Sequence, residues 1–280
     1  SHPSIYMHLT RLFNLMIKHG VVPNGFGEGL IVPLIKEKFG DVCSSENYRG
    51  ITLCHIISKI FEICLLRKIE PFLNTHDLQM GFKKGVGCGP PTFLLQQVVK
   101  YFTSRGSRVY LCAIDASKAF DRINHSSLFT KLLEKNVPLC FVQIIINWYS
   151  KLLSCVRWND AVSTSFTVHC GVRQGGILSP ILFNLYVDNL IESLQNSGLG
   201  CYICTSFLGC IMYADDLILL SPSIDGLQGM LNLCTVYGAN FDIMFNVKKT
   251  VCIVVGMHYR VNLLDMFFSN LFIHWSEQFK

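Results

Sequence analysis

The sequence predicts a mixed α+β fold that displays acidic side chains on a strand hairpin. Two apolar runs, at residues 210–212 and 217–220, flank the short element at 213–216 and are typical of two strands joined by a tight turn. A third apolar run, at 109–114, leads directly into Asp115. Stretches with apolar residues at three- and four-residue spacing lie between these runs and predict helices.

The hairpin turn holds two adjacent carboxylates, Asp215 and Asp216. Adjacent carboxylates repel each other, and burial beside apolar strands costs further free energy, so their presence indicates a cation, for which Mg²⁺ is the natural candidate. An Asp-Asp pair alone is more often simply part of a solvated turn. The choice therefore depends on the rest of the chain.

Composition excludes a disordered chain, because 50% of the 280 residues are hydrophobic and only 15% are charged. Lys and Arg exceed Asp and Glu by 24 to 19, which gives a net charge of +5. This balance permits an anionic partner without demanding one.

The 13 cysteines are scattered, and many stand in apolar runs, where a reduced thiol behaves as a small hydrophobe. We therefore expect an intracellular, reducing compartment. No apolar run reaches the roughly 18 to 20 residues that a membrane span needs, and no signal peptide is recognisable, so we expect no membrane association.

The first 70 residues predict a helix, a strand hairpin and a second helix. The apolar stripe at 9–18 is helical and is followed by Gly20 and Pro23, which end it. The two strands are predicted at 30–34 and 50–54, separated by a polar loop, and a helix buried on a broad apolar face is predicted at 56–69.

Two basic segments fall in this part of the chain. Lys36, Lys38 and Arg49 lie on or beside the predicted hairpin tip, where they are poised for an anion or are simply solvated. Residues 79–89 hold Lys83, Lys84 and four glycines, and so predict a flexible basic loop that a phosphodiester chain can approach closely.

The remaining elements follow in order. The strand at 109–114 is predicted to turn into a helix over 116–122 whose first turn holds the acid. Further predicted helices are at 93–102, 127–134, 141–153, 181–194 and 224–238, and further strands at 163–169 and 251–255. Gln174 lies among glycines just before the helix that Ser179 and Pro180 open, where backbone amides can reach a ligand.

The order of these features, a strand with Asp115, a glycine-framed Gln174, an acidic hairpin and a later lysine, is the layout of a polymerase palm. Read together, the motifs resemble those of reverse transcriptases from non-LTR (LINE-type) retrotransposons, in the family's order. The matching runs are NYRGITL (47–53), SKIFE (58–62), QMGFKKG (79–85), AIDASKAFD (113–121), GVRQGGILSP (171–180), YADD (213–216) and NVKKT (246–250).

The resemblance implies an α+β right-hand polymerase, with fingers and a palm whose antiparallel sheet is backed by helices, and with the thumb missing. It implies fingers at 1–108, a palm at 109–280 with a fingers insertion at about 126–170, and a reverse transcriptase domain over about 30–280. We expect a fragment of a longer protein that ends where the primer-grip hairpin begins. Apolar side chains would then be exposed at Phe267, Phe268, Phe272 and Trp275.

The resemblance also assigns roles to individual residues. It implies that Asp115 and Asp215, with Asp216 beside them, hold Mg²⁺, with Mn²⁺ as a substitute, and that Lys249 lies near the departing pyrophosphate. The residues that it places against the incoming nucleotide are Lys36, Arg49, Phe120, Gln174 and Gly175, and those that it places on nucleic acid are Lys83 and Lys84.

The activity implied is RNA-directed DNA synthesis from dNTPs on an RNA template and a DNA primer; protein partners are not predicted. Two other readings are a group II intron-type reverse transcriptase or an RNA-dependent RNA polymerase, and a non-catalytic RNA-binding module made from a retired polymerase. Ala214, where viral RNA polymerases commonly carry glycine, disfavours the viral enzymes. Retention of all three aspartates disfavours the non-catalytic module.

Overall fold

A computed structural model describes residues 3–256, 266–273 and 275–276. Its mixture of helices and mainly antiparallel sheets confirms the predicted α+β class. The described helices are α1 Pro3–His19, α2 Ile56–Ile69, α3 Gly89–Thr103, α4 His125–Glu134, α5 Leu139–Tyr149, α6 Ser179–Asn196 and α7 Ile224–Asn240. The described strands are β1 Glu28–Ile35, β2 Tyr48–Cys54, β3 Val109–Ser117, β4 Leu153–Trp158, β5 Ala161–Val162, β6 Phe166–Thr167, β7 Tyr202–Ile203, β8 Ser206–Phe207, β9 Cys210–Tyr213, β10 Asp216–Ser221, β11 Met244–Phe245, β12 Val251–Val255, β13 Met266–Phe268 and β14 Leu271–Ile273.

The chain forms two compact units, each made of two segments. Unit 1 comprises Ser1–Asn74 and Ile123–Leu182, and unit 2 comprises Thr75–Arg122 and Phe183–Lys280. The division into fingers at 1–108 and palm at 109–280, with an insertion at about 126–170, is a functional one and stays a prediction.

Unit 1 is built on a sheet with strand order β2, β1, β4, β5, with β6 also paired to β4. Strand β1 pairs antiparallel with β2 and parallel with β4. Beside the sheet, an aromatic cluster joins helices α1, α2 and α5: Phe61 lies 5.1 Å from Phe13 and 5.6 Å from Trp148 between ring centroids. The Trp148 indole donates to the carbonyl of Phe26 at 3.0 Å, so the buried N–H is satisfied.

Unit 2 is built on a sheet in which β3 is the central strand. The order is β11, β3, β10, β9, and β12 also pairs with β3; all of these pairs are antiparallel. Helices α3 and α7 contact this sheet. The buried residues Val98, Leu111, Ile211 and Leu220 belong to one apolar cluster that fixes α3 and the sheet strands together.

Several predicted elements are confirmed: the β1–β2 hairpin, the β9–β10 hairpin, strand β12 and the helices α1, α2, α6 and α7. The prediction of a helix directly after Asp115 is wrong. Strand β3 continues to Ser117 because residues 116 and 117 pair with β11, and only a short 3-10 turn, Ala119–Arg122, follows. Lys118 between them has φ +50°, a backbone conformation that neither a strand nor a helix continues.

The region after α5 was also predicted incorrectly. The helix expected over 141–153 ends at Tyr149, and Leu153 instead begins β4, which pairs with β1. Of the single strand expected over 163–169, only Phe166–Thr167 is a strand, β6, whereas β5 ends before this range begins. A continuous apolar run does not distinguish a helix from a buried strand, so only the long-range pairing decides.

Burial corrects two expectations about apolar residues. On α2, Ile56 is 76% exposed, whereas Ser58 and Glu62 are buried, so the helix turns a partly polar face inward. On the β13–β14 hairpin, Phe268 is buried against Phe245, whereas Phe267 is exposed as expected. The end of the chain beyond residue 276 lies outside the described residues.

The cysteines in apolar runs follow the expected pattern in part. Four of them, Cys112, Cys210, Cys234 and Cys252, are buried, whereas Cys64 on α2 is exposed. Within the described ranges, no helix combines the length and the apolar character that crossing a membrane requires.

Candidate active site

The three predicted acidic residues lie together on the β3, β9 and β10 strands of unit 2. Asp115 on β3 and Asp216 on β10 are direct cross-strand partners, and Asp215 immediately precedes Asp216 in the turn after β9. Asp115 and Asp215 are half-buried, and Asp216 is exposed. Like charges directly opposite each other destabilise an antiparallel pair, so this arrangement lowers the stability of the sheet.

The electrostatics of Asp216 reflect this crowding. Its pKa is raised above the ordinary value, first because neighbouring protein atoms partly desolvate the carboxyl although the residue as a whole is exposed, and then by the negative charges of Asp215 and Asp115, while Lys249 acts in the opposite direction. The Lys249 ammonium lies 3.4 Å from Asp115 Oδ2. Because the lysine side chain is 68% exposed, this ion pair contributes little to folding stability, and its ammonium is accessible to a ligand.

The donor set fits a hard divalent cation that is held partly by a substrate. Across the described part of the chain, no three His, Cys, Asp or Glu side chains are grouped so as to hold a metal ion by themselves. Mg²⁺ typically keeps several waters and takes one or two protein carboxylates together with substrate phosphates. Asp115 and the adjacent acids of the turn can supply one or two such carboxylates.

The turn that carries the acids has an uncommon backbone conformation. Ala214, the first of the two turn residues between the partners Tyr213 and Asp216, has φ +58°. This left-handed region favours glycine, and a residue with a Cβ that occupies it is held there by its surroundings.

Phe120 lies in the 3-10 turn after β3, still within unit 2. Its ring stacks on the buried Phe183 at 4.8 Å with an interplanar angle of 11°, and Phe82 meets it edge-on at 5.9 Å. These two contacts restrain the ring of a side chain that is itself only half-buried. The sequence did not indicate Phe82 and Phe183 as its supports, because they are distant along the chain.

Gln174 and Gly175 lie in unit 1, in a loop tied to β2. The Thr52 N–H donates to the Gln174 carbonyl at 2.7 Å. Gly175 has φ +120°, and a Cβ at this position would come 2.8 Å from the Thr52 carbonyl oxygen. Glycine is therefore required here for both conformation and space, as its position before a helix indicated.

Glu62 on α2 also holds this loop, a role that was not predicted from the sequence. Glu62 is 4% exposed, pairs with Arg173 at 3.5 Å and accepts from the Ile177 N–H at 2.7 Å. Burial raises the Glu62 pKa, although the Ile177 N–H and the Arg173 charge oppose that shift. An acid inside an apolar helix stripe was the available signal, since buried Glu is almost always paired.

The predicted basic contacts differ in how they are engaged. Lys36 donates to the Glu46 carbonyl at 2.8 Å, and Lys83 donates to the carbonyls of His76 at 2.8 Å and Thr75 at 3.4 Å. Arg49 on β2 and Lys84 are exposed. Lys36 and Lys83 thus stabilise their own loops in this structure, whereas Arg49 and Lys84 face solvent.

Comparison with known proteins gives one family. The family model described as reverse transcriptase (RNA-dependent DNA polymerase) matches residues 36–279. This range includes all the motifs and every candidate site residue described above.

Relatives among curated proteins are polyproteins and polymerases of retrotransposable elements. The chain is 26% identical over 249 residues to the Pol polyprotein of type-2 element R2DM from Drosophila melanogaster, covering 89% of this chain and 23% of that protein. It is 29% identical over 225 residues to the Pol polyprotein of type-1 element R2 from Popillia japonica, covering 78% and 31%. The chain therefore spans less than a third of the length of these relatives.

Solved structures show the fold at lower identity. Apo telomerase from Candida tropicalis, truncated from its C-terminal domain, matches 96% of this chain and 58% of its own, with a TM-score of 0.61 and 15% identity. Telomerase from Candida albicans in complex with a fragment of telomeric RNA matches 94% and 48%, with a TM-score of 0.58 and 12% identity. The right-hand fingers and palm architecture predicted from the motifs is thereby confirmed.

The buried Glu62–Arg173 pair generates a stability prediction. Replacement Arg173→Met leaves the Glu62 carboxylate buried without its cation, and we expect a loss of about 3 kcal/mol in the free energy of unfolding at neutral pH. Since the folded-state pKa of Glu62 is raised, the carboxyl protonates as the pH falls towards its ordinary value of 4.5, so the deficit should shrink at pH 5 and grow as the pH rises.

Denaturant unfolding at pH 5 and pH 8 measures this effect. The matched control is the double variant Arg173→Met with Glu62→Gln, which removes the uncompensated carboxylate and should recover most of the stability at pH 8. A deficit that is the same at both pH values would show that the ion pair is not its source.

Proposed function

Because the chain belongs to the reverse transcriptase (RNA-dependent DNA polymerase) family, as its motif order predicted, we propose that it synthesises DNA on an RNA template by transferring nucleotides from dNTPs to a primer 3′-OH. The observation that carries this proposal is the opposition of Asp115 and Asp216, with Asp215 in the turn between strands and Lys249 3.4 Å from Asp115. Neutral residues at these positions would make the pairing of the strands more stable, so we infer that the carboxylates have a chemical role.

Asp115 and Asp215, with Asp216 beside them, would hold Mg²⁺, with Mn²⁺ as a substitute, because carboxylate oxygens are the ligands that these cations prefer. When bound, the metal supplies activation of the attacking hydroxyl and neutralisation of the leaving oxygen. The contribution of the carboxylates is to fix the position of that charge. Phosphoryl transfer demands positioning and electrostatic stabilisation more than covalent chemistry.

Lys249 would act on the leaving group. Its exposed ammonium carries three donors, and its ion pair with Asp115 holds it beside the carboxylates. In this position it can donate to a departing pyrophosphate. Arg49, Lys36, Gln174 and Gly175 would contact the incoming nucleotide, and Arg49 is better suited than Lys36, whose ammonium is bonded to Glu46.

Lys83 and Lys84 would contact the RNA template or the DNA primer, mostly through phosphates. Lys84 is exposed in the glycine-rich loop and is the better candidate, since Lys83 serves its own loop. We further propose that the protein works in a reducing compartment, where its thiols stay reduced.

A non-catalytic RNA-binding module is not favoured. Such a module has no use for three carboxylates crowded on neighbouring strands, which raise the pKa of Asp216. The curated relatives are retrotransposon proteins, which favours a non-LTR enzyme over one of the group II intron type.

Removal of a single acid charge tests the metal site. We expect Asp115→Asn and Asp215→Asn to lower primer extension on an RNA template by about 1000-fold or more, because each change deletes a ligand charge and conserves volume. The matched control is Asp225→Asn at the N-terminus of α7, which should extend primers at the wild-type rate. Wild-type extension by either site variant would refute the assignment.

Phe120 is proposed to exclude ribonucleotides by collision with the 2′-OH. The variant Phe120→Val should incorporate rNTPs more readily while its dNTP turnover changes little, because the block is steric. Competing incorporation of rNTPs and dNTPs measures the ratio, with replacement of the exposed Phe267 on β13, Phe267→Val, as the control. Unchanged discrimination in a folded variant would mean that Phe120 serves the aromatic stack alone.

A further inference from the structure

A glutamine with no assigned role holds the turn that carries the catalytic acids. Gln79 is wholly buried. The Ala214 N–H donates to Gln79 Oε1 at 3.1 Å, and Gln79 Nε2 donates to the Ala214 carbonyl at 3.2 Å. The carboxamide therefore bonds the backbone on both sides of a single residue, the one with φ +58°.

The glutamine is itself held in place by its neighbours. Residues 78–80 run beside β9, with Met80 N–H donating to the Met212 carbonyl at 2.8 Å and Met212 N–H donating to the Leu78 carbonyl at 2.9 Å. The Gly81 N–H donates to Gln79 Oε1 at 2.9 Å, which completes the acceptor capacity of that oxygen. These contacts fix the orientation of the Gln79 carboxamide independently of its bonds to Ala214.

The close approach of the two segments depends on Gly81. A Cβ at this position would come 2.1 Å from the Ala214 nitrogen, so no other residue fits without a backbone shift. The Asn184 side chain on α6 donates to the Gly81 carbonyl at 2.6 Å. Helix α6 therefore sets the position of Gly81, and Gly81 and Gln79 set the position of Ala214.

We propose that Gln79 is a positioning residue that imposes the left-handed conformation of Ala214 and so places Asp215 and Asp216 for catalysis. The inference rests on the proposed function for its catalytic meaning. If Gln79 served only to fill the core, its carboxamide could be satisfied by any polar neighbours. Instead, both its oxygen and its nitrogen bond the backbone of Ala214, the turn residue with positive φ. A turn released from it can leave the left-handed region and carry the two carboxylates away from Asp115.

The test replaces the carboxamide without changing its volume greatly. In Gln79→Met we expect faster amide hydrogen exchange in the peptide covering residues 210–221, with unchanged exchange in α3 and α7. We expect kcat to fall about 10- to 100-fold, the usual effect of losing an outer support of metal ligands, with the primer–template Kd unchanged. Exchange is measured on the protein alone, so it reports on the two hydrogen bonds between Gln79 and Ala214 even if the chain proves inactive as a polymerase.

Gln228 provides a matched control within the same unit. Its Oε1 accepts from the Phe267 N–H at 2.9 Å and its Nε2 donates to the Phe267 carbonyl at 2.8 Å, which is the same two-bond clamp on a hairpin that carries no acids. Gln228→Met should raise exchange only around residues 266–273 and leave kcat at the wild-type value.

A second substitution separates positioning from general destabilisation. Adding Ala214→Gly to Gln79→Met should restore part of the lost kcat, because glycine adopts positive φ without the clamp. If Gln79→Met does not fold, Gln79→Asn keeps the carboxamide and withdraws it by one methylene, with the same expected changes. Unchanged exchange at 210–221, or an unchanged kcat in an active wild-type background, would overturn the proposal.

Discussion

The repulsion between Asp115 and Asp216 is the unfavourable interaction that the rest of the unit 2 sheet must outweigh. Two carboxylates occupy directly opposed positions on β3 and β10, where like charges destabilise the pairing of the strands. Apolar residues on the same two strands, including Leu111 and Leu220, are buried and offset this cost. The acids lie at one end of β10, so the repulsion is confined to the edge of a well-packed region.

Local pattern was sufficient to predict the acidic hairpin, because the two apolar runs at 210–212 and 217–220 and the acidic turn between them are formed by neighbouring residues. It was not sufficient for the end of β3, whose last two residues pair with β11 more than 120 positions later in the chain. The supports of the site, Glu62 and Gln79, were missed for the same reason: their partners are more than 100 residues away. The motifs therefore predicted which residues form the candidate site, whereas the side chains that support those residues are determined by tertiary contacts.

Each unit fixes its functional loop with one buried polar side chain. In unit 1, Glu62 binds both Arg173 and the Ile177 N–H, which bracket Gln174. In unit 2, Gln79 binds both polar groups of Ala214, next to Asp215. Buried polar groups are expensive unless fully bonded, and a bonded one has a single allowed geometry, so both loops gain precision that apolar packing alone does not supply.

The central place of β3 has a consequence for biosynthesis. Its partners β10, β12 and β11 all lie beyond residue 210, whereas the segments of unit 1 are complete by residue 182. During translation, the strand with Val109 and Leu111 is followed by about 100 residues, roughly a third of this sequence, before β10 provides its first hydrogen-bond partners. Such high contact order slows folding and leaves an apolar strand edge open to aggregation until the later strands have been made.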